Sequence, residues 1–257
     1  MKMQKIMLIL FSCVLLAAVL YQFKFDKQHK DDAILVVGTS LDYPPYEFID
    51  HQTQQPVGLD IDMVSEIAAR LNKTLIIKNM PFTSLIFGLL TGSIDMIAAG
   101  ISPTERRAKL VSFSDQYLKG QPFVVLTKTV HLQPNSMQDL QDKVVAVSTG
   151  YIMDLYMSKE HPSIELIRLK SPAECFMAVQ TGMVDAFVSG SNTVATFLQH
   201  IQNPENFSVM QIPDTGEPCS FAVAKNNKKL LEQINQALMA MTADGMLEKI
   251  KEKWGFL

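Results

Sequence analysis

The segment Ala99 to Arg107, AGISPTERR, gathers a glycine, two hydroxyl side chains, a proline and two guanidinium groups in one short stretch. Gly100 follows an apolar run and lets another molecule approach the backbone closely. Ser102 is followed by Pro103 and, three residues on, by Glu105, the pattern of a capping box with proline at the first helical position. Thr104 is the alternative cap. A helix start presents free N–H groups and the positive end of its dipole. An arginine one turn later can fork onto a carboxylate with two parallel bonds. The segment therefore reads as a site for a small organic acid. The same spacing also fits an ordinary capped helix with solvated Arg106 and Arg107.

Other chemistries find less support. The histidines at 29, 51, 131, 161 and 200 form no HxxxH or HxxE pair, so no metal site is expected. GxSxG is absent and no histidine falls in the motif loops, so neither catalysis nor a cofactor is expected. The formal charge is −3, from 23 basic and 26 acidic residues, which gives no argument for a nucleic-acid partner. Beyond the N-terminus the only cysteines are Cys175 and Cys219, readable as one disulfide or as two buried thiols.

The elements that must position AGISPTERR follow from hydrophobic periodicity. AILVVGTS, TLIIKNM and SIDMIAAG read as buried strands. Between them, GLDIDMVSEIAARLN has helical spacing at Ile61, Val64, Ile67, Ala68 and Leu71, and FTSLIFGLLTG reads as a helix closed by Gly92 in left-handed geometry. The second half restarts with strands DKVVAVSTG, IELIRLK and MVDAFVSG around helices YIMDLYMSKE and PAECFMAVQTG. Strands alternating with helices imply βαβ units and parallel sheets. LLTGSIDMIAAG (89–100) and VQTGMVDAFVSG (179–190) match as a weak internal repeat, implying two like lobes facing a shared crevice at their strand ends. The tail, NNKKLLEQINQALMAMTADGMLEKIKEKWGF, reads as two amphipathic helices joined near Gly245. The N-terminus differs: Lys2 and Lys5 precede an apolar run from Ile6 to Tyr21, an export signal or short anchor over residues 1–21. Leu10-Phe11-Ser12-Cys13 resembles a bacterial lipobox, which makes Cys13 a lipidation candidate. Residues 22–32 read as a polar tether. Each of these readings places the body in the periplasm or at the extracytoplasmic face.

GTSLDYPPYEF, VGLDIDMVSEIAARL, TGSIDMIAAGISPTERR and ADGMLEKIKEKWGF together resemble the extracytoplasmic amino-acid-binding proteins of ABC importers, family 3 of the solute-binding proteins. The resemblance runs over residues 33–257. It implies an α/β fold of the two-lobed periplasmic-binding-protein type (type II), each lobe a mostly parallel sheet flanked by helices, closing by hinge motion. Lobe I would span 33–123 and return over 222–257, with lobe II over 124–221 and crossings near Gly120–Leu126 and Ser220–Val223. Carried over, Arg107 pairs with the ligand α-carboxylate, helped by Ser102, and the Gly100 carbonyl accepts from the α-ammonium. Tyr43 and Phe82 sandwich the ligand. Ser148, Thr149, Gly150, Tyr151 and Ile152 of lobe II offer N–H groups to the carboxylate.

Two departures from the family bear on the ligand. An acidic residue that clamps the ammonium in relatives falls on Gly190, and an aspartate frequent in cation-binding relatives falls on Ser40. An uncharged or acidic amino acid is therefore expected ahead of a cationic one. Tyr151 and Ile152 stand where a threonine is common. The resemblance implies a monomer that delivers an amino acid or analogue to membrane permease subunits. The alternatives are a dehydratase-like enzyme acting on carboxylates and a tethered sensor. A carboxyl or histidine in the cleft opposite Arg107 would favour the enzyme.

Overall fold

The structure, a computed structural model, describes residues 33–256. Cys13 and the expected leader (1–21) and tether (22–32) lie outside the described residues. Chain order opens with β1 (Ile34–Thr39) and a small antiparallel sheet of β2 (Asp42–Tyr43), β3 (Glu47–Ile49) and β4 (Pro56–Val57). Then come α1 (Leu59–Arg70), β5 (Thr74–Asn79), a 3-10 turn over Phe82–Ser84 running into α2 (Leu85–Leu90), and β6 (Met96–Ile97). The one-turn α3 (Glu105–Ala108) and β7 (Val111–Phe113) follow, and β8 (Leu118–Gln121) leads across to the second sheet. That half holds β9 (Phe123–Lys128), β10 (Val144–Ser148), α4 (Ile152–Glu160), β11 (Glu165–Leu169), α5 (Pro172–Thr181), β12 (Ala186–Gly190), α6 (Ser191–Gln199) and β13 (Phe207–Gln211). The chain returns through β14 (Glu217–Cys219) to β15 (Ala222–Ala224), α7 (Lys228–Ala243) and α8 (Met246–Lys253).

Two five-stranded sheets share one plan. The first has the order β5-β1-β6-β15-β7 and the second β11-β10-β12-β9-β13. In each, three parallel strands are followed by an antiparallel strand that enters directly from a crossing. The strands β8 and β14, which lie in the chain between the two sheets, pair antiparallel with each other. The period-two alternation of the strands decides which helices cover which face. In β1, Leu35 and Val37 meet the cluster built on Met63 and Ile67 of α1 and Ile234 of α7, while Val36 meets Leu85 and Leu89 of α2. In β10, Val145 and Val147 meet Met153 and Met157 of α4, while Ala146 meets Phe176 and Val179 of α5. Each such buried aliphatic side chain contributes about 1.5–3 kcal/mol, so both faces of both sheets carry stability.

The internal repeat holds at atomic detail. Gly92 and Gly182 sit at φ 70° and 76°, each ending a helix in the left-handed region. The Thr91 and Thr181 hydroxyls both turn back to the carbonyl four residues earlier, at 3.0 and 2.9 Å. Asp95 Oδ2 accepts from Val36 N and Asp185 Oδ2 from Val144 N, each at 2.9 Å. The two aspartates stitch the third strand of each lobe to the first. Asp62 has a comparable structural part: it accepts from Trp254 Nε1 at 2.8 Å and from Lys253 Nζ at 2.6 Å, pinning α8 on α1. Cys175 and Cys219 are both buried free thiols, which settles their alternatives.

Candidate ligand-binding site

Ser40, Gly100, Gly150 and Gly190 stand at or just past the carboxyl ends of β1, β6, β10 and β12, and Arg107 and Tyr151 make contacts that cross between the lobes. Gly100, just past β6, has φ 53°, and a Cβ there would lie 3.0 Å from the Tyr43 ring. Only glycine fits both conditions. Its N–H donates to Asp60 Oδ2 at 2.7 Å, and the other carboxylate oxygen accepts from Tyr117 Oη at 2.6 Å. Asp60 is wholly buried. Burial pushes its carboxyl up to about 6, against the two hydrogen bonds that favour the charged form. Burial likewise raises the Tyr117 hydroxyl well above its usual range, with the Asp60 charge adding to the rise. Asp60 thus joins the Gly100 turn to Tyr117, one residue before crossing strand β8.

Arg107 lies at the heart of the junction, 7% exposed, whereas Arg106 is exposed to solvent. Its Nη1 donates to Ser102 O and its Nη2 to Gly150 O of the other lobe, both at 2.8 Å. Its guanidinium carbon sits 5.3 Å from the centre of the Phe82 ring, within cation–π range. The helix that presents it differs from expectation. Thr104, not Ser102, is the cap, its Oγ1 accepting from Arg107 N at 3.2 Å. Extended backbone at Thr104 delays the helix to Glu105, and with four residues α3 has little dipole to offer an anion. Ser102 keeps a buried hydroxyl with no hydrogen-bond partner in the structure.

The lobe II turn also departs from expectation. Thr149 N donates to Leu169 O, Gly150 N to Asp154 Oδ2 at 2.8 Å, and Tyr151 N to Ser148 O. These N–H groups are committed within the lobe because Asp154, itself paired with Arg168 at 2.9 Å, folds back over the turn. Ser148 turns its hydroxyl to Cys175 Sγ, inside lobe II. Ile152, first residue of α4, keeps an N–H with no partner within the helix. Gly190 closes β12 and opens α6 without a side-chain cap.

The Tyr151 side chain is the largest surprise. It crosses into lobe I, stacks on Phe82 with ring centroids 4.1 Å apart, and meets Tyr43 edge-on at 5.0 Å. Its hydroxyl reaches Asp42 Oδ1 at 3.4 Å and Ser40 Oγ at 3.5 Å. The slot between Tyr43 and Phe82 is thus filled by the protein itself. Tyr43 has its other contact with Tyr46, stacked at 4.7 Å, and is fully buried. Ser40 donates to Glu47 Oε1 at 3.1 Å.

Asp42, Glu47 and Asp154 were not anticipated as site residues, and Thr104 was read only as the alternative cap. DYPPYE placed both of the first two beside a turn, but nothing in their spacing said which way they face. Burial raises the Asp42 carboxyl above its usual range, the Ser40 and Tyr151 hydroxyls lower it in part, and Glu174 of lobe II adds to the rise. Among the cavities that open at the junction, two border the residues described above. One, of about 370 Å³, includes Ile101, Thr104, Arg107 and Gly150 in its lining. The other, of about 630 Å³, includes Ser40, Asp42, Thr149 and Glu174. Phe82 and Thr83 line both.

Comparison with known proteins places this arrangement. Residues 35–256 match the bacterial extracellular solute-binding proteins, family 3. The L-cystine-binding protein TcyA of Bacillus subtilis (strain 168) is 29% identical, covering 98% of this chain and 97% of its own. A solved mutant of the arginine-binding protein ArgBP from T. maritima superposes with a TM-score of 0.81 at 34% identity, covering 89% of this chain and 97% of its own. The ancestral amino acid-binding protein AncCDT-1, described as a precursor of cyclohexadienyl dehydratase, gives a TM-score of 0.80 at 30% identity, covering 91% and 100%. With the family match running through both lobes and the returning tail, the chain belongs to the bacterial extracellular solute-binding proteins, family 3.

Proposed function

We propose that this chain holds an amino acid, or a close carboxylate analogue, between its lobes and delivers it to the permease subunits of an ABC importer. The observation that supports this most is Arg107: a buried guanidinium whose two terminal nitrogens address oxygen acceptors of both lobes at 2.8 Å. A carboxylate offers two coplanar oxygens to the same fork, with stronger charge-assisted bonds than a carbonyl makes. Ser102 Oγ, buried beside it without a partner, is a further donor for that group. The Gly100 carbonyl serves the α-ammonium, and Ile152 N–H the carboxylate from lobe II. An uncharged or acidic side chain is preferred, because Ser40 stands where a cation would need a carboxylate and gives its hydroxyl to Glu47. The proposed working form is a monomer at the extracytoplasmic face, tethered through its N-terminal segment, with lobe II between the paired crossings. The relatives' cystine and arginine ligands make both compounds necessary members of any test panel.

The test is a thermal-shift screen of the full chain in mild detergent against the protein amino acids and cystine. A ligand that binds only the folded form at a hundred times its Kd adds about 2.7 kcal/mol, a readily measured shift. A folded protein that none of these compounds stabilises sinks the proposal.

A second reading has one specific support. Asp42, whose carboxyl burial raises above its usual range, lines a cavity between the lobes, and AncCDT-1 superposes on this chain with a TM-score of 0.80. A carboxyl that lines the inter-lobe cleft can serve as general acid for loss of water from a cyclic hydroxy acid. Incubation with a hydroxycyclohexadienyl carboxylate, which becomes aromatic by losing water from its ring hydroxyl and carbon dioxide from its ring carboxylate, read by ultraviolet absorbance of the aromatic product, tests it; no turnover above buffer rejects it.

A further inference from the structure

The side chains proposed to hold an amino acid are covered in this arrangement of the lobes. Tyr43 is fully buried, Ser102 is 2% exposed and Arg107 is 7% exposed. A ligand therefore reaches them only when the lobes part. One turn of lobe II makes the contacts that keep them shut. The Gly150 carbonyl accepts from Arg107 Nη2 at 2.8 Å. The next residue, Tyr151, lays its ring on Phe82 at 4.1 Å and meets Tyr43 edge-on at 5.0 Å. A carbonyl and a ring from two consecutive residues thus sit on the guanidinium and in the aromatic slot, the places that the family resemblance assigns to the carboxylate and body of an amino acid. The turn is held from within lobe II. Gly150 has φ 77°, its N–H donates to Asp154 Oδ2 at 2.8 Å, and Asp154 pairs with Arg168 at 2.9 Å. A second bond between the lobes runs from Asn192 Nδ2 to Gly255 O at 3.0 Å and ties the start of α6 to the end of the returning tail.

We infer that the Gly150–Tyr151 turn is an internal stand-in for the ligand: it closes the lobes on themselves and must leave before an amino acid can occupy the site. This rests on the proposed amino-acid binding at Arg107. The self-closed form and the ligand then compete for the same side chains. The apparent affinity is that of the open form, reduced by the fraction of molecules that are open. The two aromatic pairs of Tyr151 favour the self-closed form by about 10- to 100-fold. Removing the ring leaves the Gly150 carbonyl to hold Arg107 without them, and the population shifts toward the open form.

The experiment has two readouts on the full chain in mild detergent, with native mass spectrometry checking that no small molecule is bound at the start. Spin labels on Phe87→Cys of lobe I and Met177→Cys of lobe II, both at exposed positions, report the distance between the lobes by double electron–electron resonance, with Cys13→Ser excluding a third label. Isothermal titration calorimetry with L-serine, L-glutamine, L-glutamate, L-arginine and L-cystine reports affinity. With Tyr151 intact and no ligand, the labels should show one short distance that none of the compounds shortens further. Tyr151→Ala should show a longer and broader distance, and should bind at least one of the compounds about 10- to 100-fold more tightly. Near-ultraviolet circular dichroism checks that the variant is folded, and Tyr151→Leu takes its place if it is not. A long ligand-free distance with Tyr151 intact, contracting when a compound is added, overturns the stand-in while leaving the amino-acid site standing. So does a folded variant that binds no more tightly than the protein with Tyr151. Heat from none of the compounds in either protein overturns the amino-acid site and the competition with it.

Discussion

Asp60 carries a pH dependence whose size and direction can be worked out from its surroundings. Its carboxyl is wholly buried and pushed from 3.8 to about 6, with burial outweighing the bonds from Gly100 N and Tyr117 Oη. A carboxyl raised in the folded protein favours folding while protonated. That contribution is full below about pH 3.8 and is lost as pH rises through about 6. A shift of this size corresponds to about 3 kcal/mol. Asp60→Asn removes the titration while keeping both contacts in reach, since the amide oxygen can accept from Gly100 N–H and the amide nitrogen can donate to the Tyr117 oxygen. Urea unfolding of both proteins, followed through the single tryptophan, Trp254, and by far-ultraviolet circular dichroism, supplies the comparison. Between about pH 4 and 7 the stability of Asp60→Asn relative to wild type should rise by about 3 kcal/mol, with the change centred in the interval between the two pKa values. Parallel profiles, within about 0.5 kcal/mol, would refute the argument that an ionised carboxylate is held there without a cation.

Three further outcomes are expected. Arg107→Ala should weaken whichever amino acid binds by about 2–5 kcal/mol in calorimetry, and Arg107→Lys should recover little of it, because an ammonium cannot reproduce the planar fork. Asp95→Ala and Asp185→Ala should each lower unfolding free energy by about 1.5–3 kcal/mol and by similar amounts, since each removes one charge-assisted bond to a strand N–H; a large effect from one and none from the other breaks the equivalence of the lobes. Cys175, whose thiol burial pushes up to about 12, should resist a thiol reagent at neutral pH in the folded protein and react once it is unfolded.

Much of the fold was legible because it is written in short-range patterns. The alternation in β1 and β10, the spacing of Ile61, Val64 and Ile67, and the glycines that end α2 and α5 each depend on a few neighbouring residues. The repeat of Thr-Gly and aspartate was legible for the same reason, and its stitching role emerged only with the pairing of Asp95 to Val36 and Asp185 to Val144. Helix α6 was not anticipated: SNTVATFLQ opens with residues that favour turns, and its helical state is decided by Val194 packing under the second sheet.

The sequence by itself determined two like α/β halves, the tail helices that return, and a glycine, serine and arginine at a strand end where a small acid could be met. Those depend on local spacing and on the twist and handedness common to all such units. Tertiary structure alone decided that Thr104 caps the short helix, that Asp60 grips Gly100 and Tyr117 together, and that Cys175 and Cys219 stay apart as thiols. It also decided that Tyr151 lies between Tyr43 and Phe82. Each of these joins residues remote in the chain, and which of several compatible side chains fills a given space is settled by close packing, which no periodicity encodes.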